Sequence, residues 1–165
     1  MVAAAVVASC AAMTLAGCGS TSADSIPVSA SYGAYGQVGG ILLRNVFVLG
    51  PAPGREIAKN GKASLFAGIV NDGDRPDRLI RAAAPAVAGQ ARIAGGGLDT
   101  PVHRLVGTGP TPPVTLTRLA APLRGNPAVR VTFTFQHAGP VTMSVPVFTA
   151  QGPFTTFSPP AAPAR

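Results

Sequence analysis

The stretch AVRVTFTFQHAGPVTMSVPV, Ala128–Val147, decides the fold. Val129, Val131, Phe133 and Phe135 alternate with Arg130, Thr132, Thr134 and Gln136. An extended chain with that pattern has one apolar face and one wet face. Ala138-Gly139-Pro140 turns the chain, and Val141, Met143, Val145 and Val147 resume the alternation, which predicts a β-hairpin. Pro146 has no N–H for a ladder, so the second strand is expected at a sheet edge near its end.

Upstream the pattern repeats in short pieces. Ile41–Leu49, Ala63–Asn71, Asp77–Ala83, Gly89–Ala94, Pro101–Val106 and Val114–Leu119 read as strands. The polar turn Asn71–Pro76, the run Gly95-Gly96-Gly97 and Gly109-Pro110 punctuate them. About eight strands without an amphipathic helix predict an all-β fold, an antiparallel β-sandwich. Composition agrees. Of 165 residues 20 are Gly and 17 Pro, only 12% are charged and 47% are hydrophobic. Pro at that density breaks helical bundles, and the apolar share is too high for a disordered chain.

The N-terminus carries an address. Residues 1–17 have no charged side chain and read as a lipoprotein signal peptide, although the usual leading Lys or Arg is missing. Leu15-Ala16-Gly17-Cys18 resembles a lipobox, in which small residues precede a cut and the cysteine thiol takes a diacylglycerol. Each buried CH₂ contributes about 0.8 kcal/mol, so two or three acyl chains, palmitate among them, would hold a domain on a membrane. The cysteines are Cys10, inside the segment to be removed, and Cys18, at the acylation site. That leaves none for a disulfide, a zinc site or a thiol nucleophile. The expected organisation is 1–17 signal, 18–40 acylated Cys and flexible tether, 41–149 β-sandwich and 150–165 Pro-rich tail. The expected location is the cell membrane, lipid-anchored on its extracytoplasmic face.

The formal net charge is +7, with eleven Arg to two Lys spread singly along the chain. Without a basic run or basic–aromatic interleaving, nucleic acid is not expected as a partner. Anionic headgroups or an acidic protein face suit such a charge better.

ASLFAGIVNDGDRPDRL (Ala63–Leu79) and LTRLAAPLRGNPAVRVTFTFQHAGPVTMSVPV (Leu116–Val147) are similar to two segments of the PCu(A)C periplasmic copper chaperones. The first resembles their strand, Asn-x-Gly turn and Asp-Arg-Leu triplet. The second resembles their Pro-Leu-(Lys/Arg)-x-Gly turn followed by two strands. The lipobox and Leu42-Leu43-Arg44 resemble the actinobacterial LpqE-like lipoproteins in particular. The resemblance implies a cupredoxin-like (Ig-like) β-sandwich and a Cu(I) site of His and Met, soft ligands suited to a soft ion. It also implies where the ligands would stand. A His-x-Met pair falls on Val114 and Leu116, and an earlier His falls near Ala91–Ile93, so the family's standard ligands are absent from those positions.

No metal site and no cofactor are therefore expected. The alternative is a non-standard copper site using His103 or His137. Met143 lies on the apolar side of its strand and reads as core, His137 reads as a turn residue, and His103 adjoins Arg104. Asp72, Asp74 and Asp77 have calcium-like spacing. Arg75 and Arg78 are interleaved with them, which favours a polar turn with local ion pairs. No catalytic motif is present, and no enzyme is expected. The face carrying Arg130, Thr132 and Thr134 is a candidate contact surface. The expectation is a membrane-anchored, copper-chaperone-like sandwich serving as a binding or scaffold module of the cell envelope. By analogy with the family, its partner would be an envelope protein or a respiratory oxidase. The alternative is a copper carrier, and a ligand-binding sandwich for lipid or glycan comes third.

Overall fold

The computed structural model describes residues 32–125 and 127–157. The expected signal, Leu15, Ala16, Gly17 and Cys18 lie outside the described residues. Ten strands follow in chain order: β1 (Ala34–Val38), β2 (Ile41–Leu49), β3 (Lys62–Asn71), β4 (Asp77–Ala83), β5 (Ala88–Ile93), β6 (Leu98–Thr100), β7 (Leu105–Val106), β8 (Val114–Leu119), β9 (Ala128–Phe135) and β10 (Gly139–Phe148). Short 3₁₀ turns occupy Ala94–Gly96 and Gly152–Thr156.

The strands form the expected all-β sandwich. One sheet runs β5-β8-β3-β2, with β1 paired to β2 and β7 to β3; the other runs β10-β9-β4-β6. Among the described strands every ladder is antiparallel except one, where Val147 and Phe148 lie parallel to Val48 and Leu49 and join the two sheets through β10. Pro146 pairs with Ala128 on β9 immediately before that switch. The proline therefore marks a corner where the strand changes sheets: as far as Pro146 β10 pairs with β9 alone and is an edge, as expected, and from Val147 it also gains β2 as a neighbour.

The core fills the space between the sheets with the residues the alternation selects. Val129, Val131, Phe133 and Phe135 face Leu43, Leu65, Ile69 and Leu116, all buried. Each such side chain contributes about 1.5–3 kcal/mol by leaving water. In β2 a bulge between Arg44 and Phe47, with Asn45 at φ 49°, resets the alternation. It turns Val46 and Val48 inward and frees Phe47 and Leu49 to face the other way.

That outward face is the largest departure from expectation. Phe47 stacks on Phe66 at 5.1 Å between ring centroids. Phe154 and Phe157, from the segment expected to be a loose tail over 150–165, close on Phe47 edge-on at 5.2 and 5.1 Å. With Phe148, they build a second core outside the sandwich. The reason is local. In a 3₁₀ turn, residues three apart eclipse, so Phe154 and Phe157 present both rings to one side. Pro153 sits in the first turn, where its missing N–H costs nothing.

The expected tether also ends early. Residues 34–38 form β1, paired with β2 at Gly36–Leu43, Gln37–Leu42 and Val38–Ile41. Gly39 and Gly40 both have positive φ and make the two-residue hairpin loop between Val38 and Ile41. Of the strand expected at Pro101–Val106 only β7 at its end forms; β6 precedes that range, and His103, at φ 54°, turns the chain between the two.

Candidate functional site

Chemistry-bearing side chains gather at one end of the sandwich, around the turn after β3. Asn71 is buried and spends its whole amide there. Its Nδ2 donates to the carbonyls of Arg75 and Thr100, both at 2.8 Å, and its Oδ1 accepts from Gly73 N–H at 3.0 Å. The turn is thereby pinned to β6, and His103 N–H donates to the Asn71 carbonyl at 2.7 Å.

Asp77 opens β4 directly below. Its side chain is only 5% exposed, and its carboxylate accepts three backbone N–H groups: Arg78 at 2.7 Å, His137 at 2.9 Å and Ala138 at 2.8 Å. The last two belong to the β9–β10 turn. Burial by itself would raise the Asp77 pKa. The N–H groups of His137, Arg78 and Ala138, with the imidazole of His137, outweigh it and hold the carboxyl below its ordinary value. A cleft of about 410 Å³ lies over this group, lined by Asn71, Asp74, Asp77 and His137 among others.

The two histidines of the alternative copper site are held apart by separate acids. His137 Nδ1 is 3.3 Å from Asp77 Oδ1, and His103 Nδ1 is 3.7 Å from Asp72 Oδ1 with both side chains exposed. Met143 is buried, its Sδ and Cε against Gly36 of β1. Among the described residues no group of three or more His, Cys, Asp or Glu is placed to hold a metal ion. The Asp72, Asp74 and Asp77 trio follows suit. Asp77 is spent on backbone N–H groups, Asp72 faces His103 and Asp74 lines the cleft.

The positions where the resemblance puts copper ligands do come together. Antiparallel pairing of β5 with β8 sets Ile93 opposite Val114 and Ala91 opposite Leu116. Val114 and Leu116 are fully buried in the main core, with Ala91 and Ile93 packed against it. Neighbouring strands thus present aliphatic carbon where a soft-metal site would need sulfur and imidazole. The residues present do not fit Cu(I) there.

On the outer face of β9, Thr132 and Thr142 share a hydrogen bond at 2.8 Å, and Arg130 is exposed opposite Ser144. A groove between β4 and β5, rimmed by Arg81 and Arg92, was not legible in advance. Its sequence, RAAAPAVAGQAR, carries no motif.

Residues 41–147 match the profile of the LpqE-like lipoprotein family. No curated protein matches the sequence significantly. Among solved structures, the apo PCuAC domain from PmoF1 is similar at TM-score 0.60 and 23% identity, covering 70% of this chain and 99% of that one. The apo PCuAC domain from PmoF2 gives 0.59 and 25%, over 72% and 98%. The copper-bound PCuAC domain from PmoF2 gives 0.56 and 27%, over 70% and 98%. The sandwich is thus shared with domains of which one was solved with copper.

Proposed function

The chain belongs to the LpqE-like family, and from that premise we propose that it is a lipid-anchored, non-catalytic binding module of the cell envelope. It keeps the copper-chaperone sandwich and works through a protein partner, with an envelope or respiratory-oxidase complex as the expected one. The carrying observation is the pairing of Ala91 and Ile93 with Leu116 and Val114, aliphatic residues at the positions onto which the copper-chaperone resemblance maps the metal ligands. Anchoring at Cys18 accounts for the lipobox Leu15-Ala16-Gly17. No described helix is long and apolar enough to cross a membrane.

The test is a Cu(I) competition titration against a chelator of known affinity, run beside His103→Ala and His137→Ala. Binding no tighter than that of the two variants is the expected result. Tight one-to-one binding lost in either variant would overturn the reading in favour of a copper carrier with a rebuilt site.

A further inference from the structure

β4 and β5 are consecutive strands that do not pair with each other. β4 is paired to β6 only as far as Leu79–Leu98, and beyond it Arg81–Ala83 bond to β9 alone. β5 pairs only with β8. Ala84 ties the two strands at one end, its carbonyl accepting N–H bonds from Val87 at 3.0 Å and Ala88 at 2.9 Å. From that pinch they diverge into different sheets and leave a groove of about 450 Å³.

The walls of the groove are strand edges. Side chains of a strand alternate between its faces, yet the groove is lined by consecutive residues, 81–85 on one side and 88–92 on the other. Backbone must therefore form much of both walls, and unpaired N–H and C=O groups of an edge are a template for another strand. Ala84 and Ala88 are small and buried, and Gly89 and Gln90 are exposed, so a chain can approach closely. Arg81 and Arg92 are exposed at the far ends of the two walls. Among the described residues neither pairs with a carboxylate, and no acidic side chain lines the groove.

We propose that this groove takes an extended acidic segment of a partner protein, added as a strand to the free edge of β5 where it diverges from β4. Main-chain hydrogen bonds would hold the segment, and Arg81 and Arg92 would select its charge. β5, six residues long, sets an upper limit of about 20 Å of extended chain. A second copy of this chain is disfavoured as occupant, because the free edges of its β4 and β5 carry the same arginines and its net charge is +7. The inference rests on the reading of the domain as a binding module, and names the chemistry of what it binds.

Fluorescence anisotropy on the full chain tests it with three labelled hexapeptides. One alternates valine with glutamate, one is the same peptide N-methylated at alternate amides, and one alternates valine with lysine. The glutamate peptide should bind saturably, and two charge contacts predict about tenfold weaker binding of the lysine peptide. N-methylation should weaken binding by a similar factor, and Arg81→Glu with Arg92→Glu should invert the charge preference. Equal binding of the N-methylated peptide, or no saturable binding of the glutamate peptide, would overturn the proposal. If the double variant fails to fold, the N-methyl comparison on the wild-type protein still decides. A positive copper titration would remove the binding-module reading without touching these results, so the two failures are distinguishable.

Discussion

Replacing Asp77 by alanine should be among the most damaging single substitutions in the protein, although no catalysis is assigned to the residue. The carboxylate satisfies three backbone N–H groups, two of them in the turn between β9 and β10. Hydrogen bonds to a charged acceptor contribute about 1.5–3 kcal/mol each, and a buried donor left without a partner costs about 1–3 kcal/mol. Water can reach part of the turn, so the three losses do not add in full and the expected cost is about 3–5 kcal/mol. Asp77→Asn keeps one oxygen and loses the charge, at about 1–2 kcal/mol.

The asparagine variant also isolates the pH dependence. The Asp77 pKa is depressed in the folded protein. Its contribution is therefore complete above the unfolded value, near 3.8, and is lost as pH falls through the lower folded value. Urea titrations followed by far-UV circular dichroism, from neutral pH down through the acid range, should show the gap between wild type and Asp77→Asn narrowing below that point. The reasoning is refuted if Asp77→Ala lies within about 1 kcal/mol of wild type at neutral pH, or if the asparagine gap stays constant through acid.

Two further substitutions separate the second core from the turn geometry. Phe154→Ala should cost about 2–4 kcal/mol, below the range for a central phenylalanine because its ring lies at the margin of the fold. Thermal unfolding measures that loss, and added dye binding should report the uncovered Phe47 and Phe66. Gly107→Ala should cost about 2 kcal/mol or more: φ is 77° and the new Cβ would run into the Ala67 carbonyl. Gly95→Ala has a similar φ, 65°, with nothing within 4 Å, and should cost about 1 kcal/mol. Equal melting temperatures for the two glycine variants would sink the steric argument.

Most strands were legible because alternation is a local property. Ile41–Leu49, Asp77–Ala83 and Val114–Leu119 match their sequence-derived bounds to the residue. β1 was hidden by its composition, since AYGQV carries little apolar alternation. The signal that could have found it is Gly39-Gly40 between Val38 and Ile41, a two-residue hairpin loop. The tail misled through its prolines; Phe154 and Phe157 were the informative residues, three apart and without an evident place to dock. Asp77 shows the deeper limit. Its nearest charged neighbours in sequence suggested local ion pairs, whereas its partner His137 lies 60 residues away and is supplied only by the closed sandwich. The groove between β4 and β5 is invisible for the same reason, being a space between backbones that no side-chain pattern encodes.

The parallel joint of β2 with β10 has a consequence in time. A chain synthesised from its N-terminus makes β2 early, yet that strand cannot gain the neighbour at Val48–Val147 until nearly the whole domain exists. Loop closure over that distance must be completed before the contact gives anything back, which places such folds among the slow ones, on the order of milliseconds to seconds. Until then the two sheets touch only through local links such as Asn71 to Thr100, and the ladder that closes them is missing.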